Sequence, residues 1–369
     1  MIGYCTNIHS GNTLDEIVLN LRTYAQAVQQ QVGFPLELGL WLPNDSLEKD
    51  TGRRLQDVLH ECGLTTRSLN GFPFGNFHQQ IVGKSVYQPT WCELDRLDYT
   101  NQLATILSEL LPTNKSGSIS TLPLGWGESW NQDEVAAKLL LQCIDHLEKI
   151  EQETGKLVHL DVEPEPGCRL QTAADLAMFV QTQFGDDDRV RRYLRVCYDT
   201  CHAAVMRENP SDSLAQYAQV GLEIGKVQLS SAIEIDFSKL NQGETVHAKD
   251  NLRMLHEPRY LHQTTILEDE QLEFYENLSD ALEHTATGSW RVHFHVPIHQ
   301  KRFGPLQTSQ LDVLRTIPLL PKSNETVWEV ETYTWDVVPE TFKDHSIIES
   351  ISSEIRWANT QVELESTHE

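Results

Sequence analysis

The sequence predicts an α/β fold of the (β/α)8, or TIM-barrel, class, with its site at the C-terminal ends of the strands. Two observations predict it. Short apolar runs alternate with amphipathic helical patterns from the first residues almost to the last, which is the rhythm of a parallel sheet. Polar, metal-competent side chains also fall late in several of those runs, where barrel strands open into functional loops. A length of 369 residues suits one large barrel, and no linker composition divides it.

The elements follow in order. Ile2 to Ile8 reads as a strand, after which Thr13 and Glu16 form a capping-box pair. Leu14, Ile17, Val18, Leu21, Ala25 and Val28 recur at helical spacing, and Gly33 ends that helix. Leu36 to Leu42 is the second strand, and Leu55, Val58, Leu59 and Cys62 line a helix stopped by Gly63. The third strand, Thr65 to Leu69, leads into a long aromatic loop from Asn70 to Trp91. A loop of that length in a compact domain is usually functional, and here it is expected to form a lid over the barrel mouth. Ser118 to Leu124 is the fourth strand, followed by Gly125-Trp126-Gly127 and a helix through Val135, Leu139, Cys143 and Leu147 that ends at Gly155.

Val158 to Pro166 supplies the fifth strand, the run ending at Asp199 the sixth, and Lys226 to Ala232 a seventh. Residues 233–289 read as a polar insertion. Two further candidates, 290–297 and 327–333, then give nine strands for eight positions, so either 226–232 or 290–297 is accessory. Ile347, Ile348, Ile351 and Ile355 mark the last helix, and 360–369 is expected to be a loose tail.

The chemistry lies at the strand ends. Asp199 and His202 are three residues apart where an apolar strand opens, so both can face one pocket; the plainer reading is a helix-capping Asp and a packed His. In VHLDVEPEP, His159, Asp161 and Glu163 share one strand face. Glu329 and Glu331 do so in VWEVETYTW, and His293 and His295 in RVHFHVPIH. Both faces of a barrel strand are buried, so inward carboxylates and imidazoles on several strands need a common ion or hydrogen-bond network.

Composition narrows the partners. The net charge of -25 argues against nucleic acid, which needs clustered Lys and Arg. Seven widely spaced cysteines without a Cys-x-x-Cys predict a reduced, cytoplasmic thiol set. MIGYCTNIHSG has neither a basic n-region nor a long apolar segment, so no signal peptide and no membrane span are expected.

The order of a Glu ending strand five, Asp-x-x-His ending strand six, an imidazole-rich strand and a final Glu-Thr resembles the xylose isomerase-like, endonuclease IV-like metal-dependent barrels. Within them GYCTNIHSG, NGFPFGNFH, VYQPTW, RVHFHVPIH and EVETYTWDVVP resemble the EboE family, assigned to metabolite traffic in bacterial ebo gene clusters. The resemblance implies Glu163, Asp199 and Glu331 as carboxylate ligands; for the fourth, His295 is expected over Gln228 because imidazole binds divalent transition metals better than an amide oxygen, and this hard, oxygen-rich set suits Mn, Mg or Zn. Gln228 falls where the usual strand-seven histidine would be, and strand four offers no histidine, which departs from a three-zinc endonuclease site. His202, Glu163 and Glu331 are the expected catalytic groups. His9, Asn70, His78, Trp126, Gln228, His293 and Lys301 are expected to face a small polar metabolite, and gene-cluster products are the implied protein partners. The implied activity is sugar isomerase- or epimerase-like, with a non-catalytic carrier and a phosphoester hydrolase as alternatives.

Overall fold

In the computed structural model, which describes residues 2–127, 129–343 and 345–366, eight parallel strands surround a common axis. They are β1 (Gly3–Tyr4), β2 (Glu37–Trp41), β3 (Thr65–Asn70), β4 (Gly117–Thr121), β5 (Val158–Val162), β6 (Leu194–Asp199), β7 (Ile224–Leu229) and, after an insertion, β14 (Val327–Val330). Their order is β1-β14-β7-β6-β5-β4-β3-β2. A parallel bridge between Cys5 and Gly39 joins the two edges, so the barrel is nearly closed.

The helices wrap this barrel as their patterns require. Thr13 accepts from the Glu16 N–H and Glu16 reaches back to the cap, starting Leu14–Asn20. One π turn, Leu21–Ala25, then carries the chain into Gln26–Val32. Gly33 ends that segment at φ 82°, a left-handed conformation costly for any residue with a Cβ. Leu14, Ile17, Leu21, Ala25 and Val28 all face the core.

The inside of the barrel is not the usual stack of branched aliphatics. Ser68, Ser118, Ser120, His159, Asp161, Lys226 and Glu329 are all buried there. Lys226 Nζ lies 3.0 Å from Glu329 Oε2, and His159 Nδ1 lies 2.6 Å from Asp161 Oδ1. Glycine makes room for these carboxylates. A Cβ at Gly39 would fall 2.1 Å from Glu329 Oε2, and one at Gly225 2.5 Å from Asp161 Oδ1.

The strand count resolves in favour of β7. Ser230 alone separates β7 from β8 (Ser231–Asp236), which turns away into a second sheet with β9 (Thr264–Glu268), β10 (Gln271–Tyr275), β11 (Ser289–Val296), β12 (Arg302–Phe303) and β13 (Leu306–Thr308). This sheet is antiparallel, in the order β10-β9-β11-β8-β13-β12. RVHFHV is therefore accessory to the barrel, and the inserted sheet extends beyond the expected 233–289 to Thr308. Trp290, Val292, Phe294 and Val296 supply its core with Leu252 and Leu278. The last helix runs from Ile347 to Ser366 and so continues past Asn359 into the segment expected to be loose, because Ile355 and Ala358 bury against the barrel. Residues 367–369 lie outside the described residues. No helix among the described residues is long and apolar enough to cross a membrane.

Removing one partner of the buried Lys226–Glu329 pair leaves an uncompensated charge. Lys226→Met should lower stability to urea by about 3–5 kcal/mol. The double change with Glu329→Gln should recover part of that loss, whereas equal losses would show the pair to be uncoupled.

Candidate functional site

Four strand ends meet at the barrel mouth. Asp199 closes β6. Its Oδ1 caps the short helix Thr200–Val205, accepting from the Cys201 N–H at 2.7 Å and the His202 N–H at 2.9 Å. Ser230 Oγ donates to the same oxygen at 2.7 Å. That leaves Oδ2 for the pocket, where it meets Glu163 from the end of β5 and Glu331 from the end of β14. One oxygen from each of Glu163, Asp199 and Glu331 lies within 4.8 Å of the others, and all three residues are buried.

Gln228 of β7 stands between them. Its Nε2 lies 2.9 Å from Glu163 Oε1, 3.3 Å from Asp199 Oδ2 and 2.6 Å from Glu331 Oε2. An amide nitrogen carries two protons, so it cannot satisfy three carboxylates. Asn7 and Asn70 donate to Glu331 Oε1 at 2.9 and 3.0 Å. Glu163 Oε2 is buried with no hydrogen-bond partner. This donor set fits a divalent ion: an orphaned carboxylate oxygen, two more carboxylates and imidazoles at the rim.

The imidazoles come from two places. His202 follows β6, while His293 and His295 are on β11. Each Nδ1 faces an oxygen: Pro164 O at 3.0 Å for His202, Gln263 Oε1 at 2.7 Å for His293 and Glu331 O at 2.9 Å for His295. The Gln263 amide is oriented by its Nε2, which donates to Pro166 O and Glu165 Oε1. Carbonyl oxygens only accept, so each Nδ1 carries the proton and each Nε2 presents a lone pair. Yet the Nε2 of His293 lies 3.2 Å from that of His202 and 3.1 Å from that of His295. Facing lone pairs need a proton or a cation between them. Three further ligand groupings arise here: Asp199 with His202 and His295, Glu165 with His202 and His293, and Cys201 with His293 and His295.

Burial sets the protonation states. Burial, then Glu331 and Asp199, pushes Glu163 well above the usual carboxylate range. Burial and then Asp199 raise Glu331 to about 7. At Asp199 burial acts in the same sense, but the N–H and O–H donors on Oδ1 oppose it and the group is held low. Burial lowers His295 to about 4 and depresses His293 further, keeping both imidazoles neutral.

Two segments cover the mouth. Pro73, Phe77, Val82, Val86 and Tyr87 of the loop after β3 line one side, and Tyr260 and Leu261 of the insertion line another. Val82 and Gly83 N–H groups both donate to Arg259 O, at 2.8 and 2.9 Å, tying loop to insertion. Of the residues expected to face a ligand, Asn70 and His293 line the pocket and Gln228 lies beneath it. His78 does not. Its ring bonds Asn7 O and packs on Trp41 and Phe77, leaving Phe77 as the lining residue. Trp126 backs Tyr87 from behind. His9 stacks on Tyr24 and lines a separate small cavity with Tyr4 and Trp41. Lys301 is exposed in the turn between β11 and β12, away from the mouth, because β11 belongs to the second sheet.

Sequence reasoning passed over Glu165, Tyr87, Gln263, Tyr333 and Asn7. Glu165 follows Glu163 by two in the quoted VEPEP, and Tyr333 follows Glu331 by two in ETYTW, so the period-2 signal extended further than the strands themselves. Gln263 and Asn7 carried no periodic mark.

No protein-family model matches the chain, and no curated protein matches it. Among solved structures, it is similar to the IolI protein with a bound zinc atom, at 12% identity over 98% of this chain and 97% of that one, with a TM-score of 0.51. A xylose isomerase domain protein from Alicyclobacillus acidocaldarius is 13% identical over 99% and 100%, TM-score 0.47. A D-psicose 3-epimerase in the presence of D-fructose is 10% identical over 91% and 92%, TM-score 0.44. The IolI protein thus shares the fold of this chain, a parallel (β/α)8 barrel.

Well above pH ~6.5 an unfolded imidazole is neutral, as the buried His293 and His295 are in the fold, whereas a glutamate that ionises near ~4.3 when unfolded still holds its proton in this site until its raised value is passed. The native protein then binds more protons than the unfolded one, so its stability falls as pH rises toward and through the folded values. The metal-free protein should lose thermal stability between about pH 6.5 and 8.5, and saturating Mn2+ should abolish that slope, as read by scanning calorimetry. A flat metal-free profile would show carboxylates that ionise freely.

Proposed function

We propose that this chain is a metal-dependent isomerase- or epimerase-like enzyme acting on a small polar metabolite. The observation that carries the reading is the convergence of three buried carboxylates on one amide, with Glu163 Oε2 left unpartnered. Glu163, Asp199, Glu331 and His295 are the residues that would hold the ion, of Mn, Mg or Zn type. A divalent ion there supplies Lewis acidity to a hydroxy-ketone or vicinal diol, lowering the pKa of its hydroxyl.

The protein's own groups handle the proton. Glu163 and Glu331 are raised toward neutrality, the condition in which a carboxylate both takes a proton from the carbon next to a carbonyl and returns it. Return to the neighbouring carbon gives isomerisation, and return to the opposite face gives epimerisation. His202, anchored through Nδ1, presents Nε2 to the same space and orients the substrate oxygen. Asn70 holds Glu331, and the loop after β3 excludes water.

A second reading is a non-catalytic metabolite carrier with partners from the same gene cluster, as the EboE-like strings suggest. It is supported by the aromatic covering of the pocket, with the rings of Phe77, Tyr260 and Tyr333 in mutual contact. The thiol usage fits a cytoplasmic setting for either reading. The endonuclease-like reading has the least support, since the -25 charge repels a polyanion.

Elemental analysis of purified protein, together with solvent deuterium incorporation into dihydroxyacetone, separates these readings. Stoichiometric metal with exchange supports the enzyme, and metal without exchange the carrier. Glu163→Gln should cut metal affinity by about tenfold or more, His295→Ala should lower occupancy, and Gln228→Ala should leave most of it. Full occupancy in Glu163→Gln would overturn the ligand assignment.

A further inference from the structure

The pocket has two unlike halves. Its floor is polar, with Asn7, Asn70, Glu163, Glu331, His202 and His293. Its wall is apolar, with Phe72, Phe77, Val82, Val86, Tyr260 and Leu261. The tyrosine hydroxyls along that wall are engaged: Tyr87 donates to Glu165 at 2.7 Å, and Tyr260 donates to Phe77 O at 3.2 Å. A ligand hydroxyl pressed against this side would lose water without gaining a partner, at a cost that a hydrocarbon group does not bear.

Charge divides ligands further. Among the described residues lining the pocket there is no lysine or arginine, while Glu163, Glu165 and Glu331 all reach it. The nearby cations are engaged elsewhere. Lys84 pairs with Glu276 at 2.8 Å and lies over the Trp126 ring, Arg259 stacks on Tyr260, and Lys226 is held by Glu329 inside the barrel. A phosphate or carboxylate on the ligand would therefore give up its water with no basic side chain to replace it.

We infer that the pocket takes an uncharged hydroxy-ketone or diol that carries an apolar arm, and that it discriminates against phosphorylated and carboxylated analogues. The polar head rests on the metal-dependent reading above; the arm rests on the apolar wall, and the charge rule on the lack of a basic residue among the described lining residues. The cavity holds about 50 Å3, room for a few water molecules. Entry of an arm accordingly parts the loop from the insertion at the Val82 and Gly83 bonds to Arg259.

The test is calorimetric titration of the full chain, metal-free and with Mn2+, against four probes. These are 2-hydroxyacetophenone, dihydroxyacetone, dihydroxyacetone phosphate and hydroxypyruvate. The aryl ketone should bind about tenfold or more tighter than dihydroxyacetone, and the two anions should bind more weakly than either. Phe77→Ala should remove most of the aryl advantage while leaving dihydroxyacetone affinity in place. Val82→Lys should raise affinity for dihydroxyacetone phosphate by about tenfold. An anionic probe binding as tightly as the aryl ketone, an aryl ketone no tighter than dihydroxyacetone, or no binding of any probe would each overturn the inference. A protein that takes up no metal yet ranks the probes in the expected order would sink the metal-dependent reading and leave this one standing.

Discussion

Three carboxylates from three strands share the two protons of the Gln228 amide, and their mutual repulsion organises much of what surrounds them. Each remaining carboxylate oxygen is either satisfied by a fixed donor or held for the pocket. Asn7 and Asn70 take one side of Glu331, while Ser230 and two backbone N–H groups take one side of Asp199. Below them Lys226 adds a positive charge that draws Glu163 and Glu331 back toward ionisation. Its own charge is stabilised by Glu329, for which Gly39 makes space on β2. The acidic mouth thus reaches down through the barrel as alternating charge, and the glycines of β2 and β7 belong to that arrangement as much as the ligands do.

The imidazoles obey a different constraint. A barrel strand can aim only its last inward residues at the mouth, and Gln228 already occupies that place on β7. His293 and His295 instead arrive from β11, whose sheet leans over the rim, and each is locked through Nδ1 to a neighbouring oxygen. Imidazoles are therefore supplied from the side and carboxylates from below. The two sets meet at Asp199 and His202, where β6 ends.

Much of this was legible in the chain. The late polar residues of β5, β6 and β14 stand in clean alternation with apolar neighbours, so Glu163, Asp199 and Glu331 declared both their face and their height. The helix caps at Thr13 and Gly33 were equally plain. The second sheet was not, because KVQLSSAIEID runs on without a turn signal and only Ser230 divides β7 from β8. Strands β9 and β10 carry exposed and half-exposed residues and read as polar loop. Lys301 was placed by analogy with a barrel strand that β11 is not. His9 and His78 lie in the strings around the mouth, but ring stacking on Tyr24 and Trp41 turns them away from it, and no local pattern encodes such long-range packing.

The pairing of β1 with β14 has a consequence for how the molecule is made. The ribosome delivers Glu163 and Asp199 well before β11, and Glu331 later still, beyond the strand that must dock beside the very first one. During synthesis the early carboxylates therefore wait without their companions, in an open sheet to which water has access. Only when the C-terminal strand slots between β7 and β1 do the acidic groups confront one another. Closure of the barrel and the meeting of all three carboxylates are in this sense a single late event.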